Sequence, residues 1–109
     1  MVLEGLIHSP EKKTLIVDID KTIFDGPDYY TSAPMLERIE VLNKLHDAGH
    51  RIIYWTARGA TTGLNWFKLT YDQLIRAGAK FTELRMGKPN YDVWVDDKAI
   101  NSEDFFKNV

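Results

Sequence analysis

The chain has 109 residues, 44% of them hydrophobic, and a formal net charge of −2. That length suits a single domain over residues 1–109 with a small core, and the charge balance gives no global positive field to recruit nucleic acid or an anionic membrane. With 0 cysteines, disulfide frameworks, zinc–thiolate centres and cysteine nucleophiles are excluded, and neither a signal peptide over Met1–Pro10 nor a membrane span is legible, so a soluble cytoplasmic protein is the expectation.

Thr14–Ile19 is a short, continuous apolar run rich in β-branched residues, which predicts a fully buried strand. It ends in Asp18-Ile19-Asp20. Strand side chains repeat every second residue, so both carboxylates face the same way. At about 4–5 Å and an effective dielectric near 20, their repulsion is roughly 3–4 kcal/mol. Such a pair calls for a cation or a proton, and hence for a metal, for catalysis, or for both. Asp25-Gly26-Pro27-Asp28 is a turn signal and predicts a loop or small flap beside the aspartates. Tyr29 and Tyr30 follow it, placed either to stack on a ligand ring or to pack on their own domain.

Ser32 as N-cap, Pro34 in the first turn, the stripe Leu36, Ile39, Leu42 and Leu45, and Gly49 as a stop predict the next helix. Arg51–Trp55 is a second strand, ending at Thr56. Thr61 or Thr62 then caps a helix whose apolar face is Leu64, Phe67, Tyr71, Leu74 and Ile75, stopped by Gly78. Lys80–Leu84 is a weaker third strand, Gly87-Lys88-Pro89-Asn90 a loop, and Tyr91–Val95 a fourth strand ending at Asp96-Asp97. Asn101 or Ser102 caps a short final helix. This alternation implies an α/β fold: a Rossmann-like parallel sheet with right-handed crossovers and helices on both faces.

Polar residues gather after the ends of strands one, two and four, at the carboxyl edge where open α/β sheets build their sites. Each signal alone has an ordinary reading: the first Asp pair starts a turn, Thr56 ends a strand, Lys88 is a solvated loop lysine, and Asp96-Asp97 caps a helix. Arg58 either helps hold a phosphate or substrate carboxylate or forms a surface ion pair, and Trp66 and Phe67 pack or make a subunit contact. His8, His46 and His50 lie away from the motifs and read as structural or solvated. Together, though, several carboxylates make a hard oxygen site suited to Mg²⁺. A carboxylate can attack phosphorus, a second can shuttle the proton, and Thr and Lys can hold phosphoryl oxygens.

The order of these motifs resembles the haloacid dehalogenase-like (HAD) phosphohydrolase superfamily. Asp18-Ile19-Asp20-Lys21-Thr22 matches its first motif, Thr56 its second, Lys88 its third, and Asp96-Asp97 its fourth, over Thr14 to about Ile100. The resemblance implies that Asp18 is the nucleophile and a Mg²⁺ ligand, and that Asp20 is the general acid/base with its backbone carbonyl on the metal. It implies Thr56 and Lys88 on the phosphoryl group, with Asp96 and Asp97 as metal ligands, the latter directly or through water. The common first motif has Gly where this chain has Lys21. Neither inter-motif interval leaves room for a cap domain, so the chain looks like a capless HAD-like core, its site open to large substrates or closed by another subunit of a homo-oligomer. Thr56-Ala57-Arg58, Gly87-Lys88-Pro89 and Val95-Asp96-Asp97-Lys98-Ala99-Ile100 are similar to small phosphatases of bacterial capsule and surface-polysaccharide biosynthesis. The implied partner is a small-molecule phosphate ester, a sugar phosphate. Two other readings stand beside the phosphatase: a receiver-like phosphoacceptor domain, whose motif order differs, and a non-catalytic binding subunit on the same fold.

Overall fold

The computed structural model describes residues 2–107. Its elements in chain order are α1 (Val2–Ile7), β1 (Thr14–Val17), β2 (Phe24–Asp25), β3 (Ala33–Pro34), α2 (Leu36–Asp47), β4 (Arg51–Trp55), α3 (Phe67–Arg76), β5 (Glu83–Arg85) and α4 (Ser102–Phe105). β1, β4 and β5 form a three-stranded sheet in the order β1-β4-β5, and both pairings are parallel. The register sets Val17 beside Tyr54 and Trp55 beside Arg85, so β1 and β4 end together. This is a mixed α/β fold around a small parallel sheet.

β4 lies in the middle, and its Ile52, Ile53 and Tyr54 are all buried, as a strand covered on both faces requires. α2 brings Ile39, Leu42 and Leu45 to the same core, each at most 1% exposed. Its end follows the expected glycine stop. Gly49, at φ +100°, lets His50 N–H reach the Leu45 carbonyl and Gly49 N–H the His46 carbonyl. Gly78 ends α3 with the same pair of bonds, to Leu74 and Ile75. Helix α1, which the pattern did not announce, buries Leu3. Its Leu6 carbonyl meets Nε2 of buried His50, whose Nδ1 accepts from Lys13 N–H. This fixes His50 as a structural residue.

Several boundaries differ from the sequence reading. Ser32 does not cap α2 and Pro34 is not in its first turn. Ala33–Pro34 instead pairs antiparallel with Phe24–Asp25, and the helix begins after Met35. A two-stranded ribbon tolerates Pro34 because its missing N–H falls at an edge. α3 starts at Phe67, not after Thr61 or Thr62, where the Asn65 side chain accepts Phe67 N–H. Its buried residues are Thr70 and Leu74, while Leu64, Phe67, Tyr71 and Ile75 are substantially exposed. The third strand is shifted to Glu83–Arg85, because the Thr82 hydroxyl takes Ile52 N–H in place of a ladder carbonyl.

The largest difference is at Tyr91–Val95, which is irregular and exposed rather than a fourth strand. In a strand, residues three apart face opposite sides. Here Tyr91 and Trp94 come together, with ring centroids 5.0 Å apart, and both lie against the Lys88 ammonium. That arrangement is incompatible with pleating. β1 consequently keeps one unpaired edge and is not fully buried: Ile16 is 53% exposed.

Candidate functional site

β1 ends at Val17, and the chain then folds back tightly. The Ile19 carbonyl accepts N–H bonds from Thr22, Ile23 and Phe24, while Ile19 and Ile23 are sealed into the core at 0% exposure. Two buried isoleucines thus clamp the turn that presents Asp18 and Asp20. Lys21, between them and Thr22, has φ +64°, the left-handed region that favours glycine.

The two carboxylates do not share one cation. Each has its own, and each side chain is 35% exposed. Asp18 Oδ1 lies 3.3 Å from Lys88 Nζ, and its Oδ2 accepts the Thr22 hydroxyl at 3.2 Å. Asp20 is gripped bidentately by Arg58, Nε to Oδ2 at 3.0 Å and Nη2 to Oδ1 at 2.8 Å. The repulsion anticipated from the sequence is therefore answered within the protein.

Thr56 is buried just past β4, and its hydroxyl accepts Arg58 N–H at 3.1 Å. Its carbonyl accepts Lys88 N–H at 3.0 Å, which ties the lysine loop to this strand end. The Asn90 amide donates to the Thr61 hydroxyl and makes a second tie between the two loops. Asp18, Asp20, Thr56, Arg58 and Lys88 therefore come together.

A cleft of about 550 Å³ opens beside them. Asp18, Asp20, Arg58 and Lys88 line it, and so do the flap residues Asp25–Tyr29, the loop residues Pro89–Tyr91, and Lys21. The flap is tight: a Cβ on Gly26 would stand 2.6 Å from Ser32 Cα. Tyr29 and Tyr30 pack edge-on against Trp66, both at 5.1 Å, although Tyr30 stays 71% exposed.

Asp96 and Asp97 are not among the cleft's lining residues and are exposed. Lys98 N–H holds Asp96 below the usual carboxylate range, with the Trp94 indole and Asp97 adding to the effect. Among the described residues, no group of three or more His, Cys, Asp or Glu side chains converges as a metal cage. The four-aspartate ligand set expected from the sequence is thus not assembled in this conformation.

Arg58 also departs from its expected place on the phosphoryl group. Its side chain is 0% exposed. Besides Asp20, it donates to the Thr70 hydroxyl at 3.1 Å and the Gln73 carbonyl oxygen at 2.6 Å. A buried guanidinium is tolerable only when so partnered. Thr70 and Gln73 were not singled out in the sequence. Their signal is two polar residues three apart, hence on one helix face, adjoining buried Leu74.

No protein-family model matches the chain, and no curated protein does. A crystallised target protein from Vibrio cholerae shares its architecture, with a TM-score of 0.74 and 27% identity over 85% of this chain and 86% of that one.

Proposed function

We propose that the chain is a Mg²⁺-dependent phosphomonoesterase of the HAD-like type, without a cap domain, acting on a small phosphorylated molecule of the sugar phosphate class. The observation that carries this reading is the Asp18–Lys88 pair at the end of β1, 3.3 Å apart at an open cleft with Asp20 beside it. A lone structural ion pair has no need of a cleft, a second carboxylate and a buried Thr at the same strand end.

Asp18 is the nucleophile. One carboxylate oxygen bonds to phosphorus as the bond to the ester oxygen breaks, and the leaving oxygen takes a proton from Asp20. Water then cleaves the aspartyl-phosphate, with Asp20 taking the water's proton, so inorganic phosphate leaves while the Asp18 carboxylate and the Asp20 acid are both regenerated. Arg58 occupies both Asp20 oxygens, but a carboxylate has about four acceptor positions, leaving capacity for the proton. The Lys88 ammonium holds the phosphoryl oxygens as charge builds on them, and the Thr56 hydroxyl, buried behind the cleft lining, joins it only with a shift at the strand end.

The donor set fits Mg²⁺ in kind. It offers hard oxygens only, from the Asp18 carboxylate and the Asp20 backbone carbonyl, and Mg²⁺ commonly uses one or two carboxylates together with water and substrate phosphate. When bound, the ion supplies charge neutralisation at the phosphoryl group. Asp96 and Asp97 join this set only if the segment bearing them moves.

The test is phosphate release from a panel of sugar phosphates, with and without Mg²⁺. Turnover is expected with the metal, is expected to vanish with EDTA, and is expected to return on adding Mg²⁺. Asp18→Asn should abolish it with the fold retained. Full activity of that variant overturns the nucleophile. A stable phosphoaspartate after acetyl phosphate, with no turnover, favours the phosphoacceptor reading instead.

A further inference from the structure

We infer that Arg58 is a positioning residue that locks Asp20 to the rim of the cleft, and that it does not bind the phosphoryl group. The inference rests on the phosphatase reading for the role of Asp20, and on geometry alone for the rim.

Arg58 presents its Nε and Nη2 edge to Asp20 in the fork geometry that fixes a carboxylate's plane as well as its place. Its Nη1 is spent on Thr70 and Gln73 of α3. The face of the guanidinium lies 4.7 Å from the Tyr29 ring centroid. With the side chain 0% exposed, a phosphate reaches it only by displacing these partners.

Gln73 carries the connection onward. Its Oε1 accepts from Arg58, and its Nε2 donates to the Tyr29 carbonyl at 2.6 Å. The guanidinium is donor-only and the carbonyl acceptor-only, so the amide has one satisfactory orientation. A continuous chain, Asp20–Arg58–Gln73–Tyr29, thus joins the proton-shuttling carboxylate to the flap that lines the cleft. A flap displaced by a bound substrate would be felt at the Asp20 carboxylate, and a misplaced Asp20 would loosen the flap.

Two variants separate this role from phosphate binding. Arg58→Lys loses the fork, and Gln73→Leu cuts the hydrogen-bonded relay to the Tyr29 carbonyl while leaving the Arg58–Asp20 pair and the Arg58–Tyr29 ring contact. Arg58→Lys should lower kcat about 10²-fold, the scale of a misplaced catalytic group, with inhibition by inorganic phosphate little changed. Combined with Asp20→Asn, it should add nothing to the loss from Asp20→Asn alone. In the free protein, amide exchange over residues 25–32 should accelerate in both variants. Weakened phosphate inhibition with kcat retained overturns the positioning role. Unchanged flap exchange in Gln73→Leu overturns the relay through Gln73, and unchanged exchange in both variants overturns the link to the rim. A wild-type chain that releases no phosphate defeats the hydrolase reading, while the exchange experiment still decides the linkage.

Discussion

The half of the molecule built on β1 and β4 and the stretch from 86 to 101 hold similar ingredients, apolar runs ending in paired aspartates, and reach different ends. β4 has neighbours on both sides, and Ile52, Ile53 and Tyr54 disappear into the core. Asp18 and Asp20 are then held just past the end of the adjoining β1, each by a separate cation. In the other stretch Val93 is 77% and Val95 92% exposed, and Asp96 is satisfied by local groups, Lys98 N–H and the Trp94 indole. The difference teaches that an aspartate pair is held by distant partners where buried neighbours fix the backbone beneath it, and by its own neighbours where they do not. Lys88 belongs to both halves: its charge goes to Asp18 and its rings, Tyr91 and Trp94, come from the second stretch.

The largest expected effect that tests this contrast is on metal binding. Asp18→Asn should weaken Mg²⁺ binding, read by isothermal titration, far more than Asp96→Asn does. Equal losses would mean that the 86–101 stretch closes over the cleft when the ion is present. Next is stability. Leu42→Ala removes a side chain at 0% exposure and should cost about 2–5 kcal/mol in urea unfolding. Val95→Ala should stay within about 0.5 kcal/mol, and a core-sized loss there would show that residues 91–95 do pack as a strand in solution. The smallest effect is at the turn just after the two aspartates. Lys21→Gly relieves about 1–2 kcal/mol of left-handed strain against about 0.5–1 kcal/mol of added chain entropy. A net gain of about 0.5–1 kcal/mol should appear as a higher unfolding midpoint. A loss would mean that the Lys21 side chain makes a stabilising contact.

One polar group shows how far burial overrides local chemistry. The Tyr54 hydroxyl lies inside the core and is the one buried side-chain polar atom without a partner among the described residues. Burial pushes its ionisation well above the ordinary phenol range.

Much of the first half was legible because local rules agreed there. The β4 strand falls where its apolar run begins and ends, the α2 stripe is the buried stripe apart from Leu36, and Gly49 and Gly78 stop their helices at positive φ. Asn101 caps α4 through its side chain, as its residue type suggests. The convergence of Asp18, Asp20, Thr56 and Lys88 also followed from the positions of the strand ends. The start of α3 was misplaced because two threonines offered plausible caps, while Asn65 made the bond that mattered.

By itself, the sequence determined the α/β alternation, the strand that carries the aspartates and the set of side chains gathered at its end. These depend on periodicity, turn residues and capping, all of which act over a few neighbouring positions. Only the tertiary structure decided which cation each carboxylate meets, that Arg58 turns inward to Asp20 and Gln73, and that Tyr91–Val95 folds around Lys88 instead of pairing with β1. Those outcomes are competitions among partners distant in sequence. Burial of a guanidinium and the choice between an aromatic contact and a ladder are settled by what stands nearby in space, which no local pattern encodes.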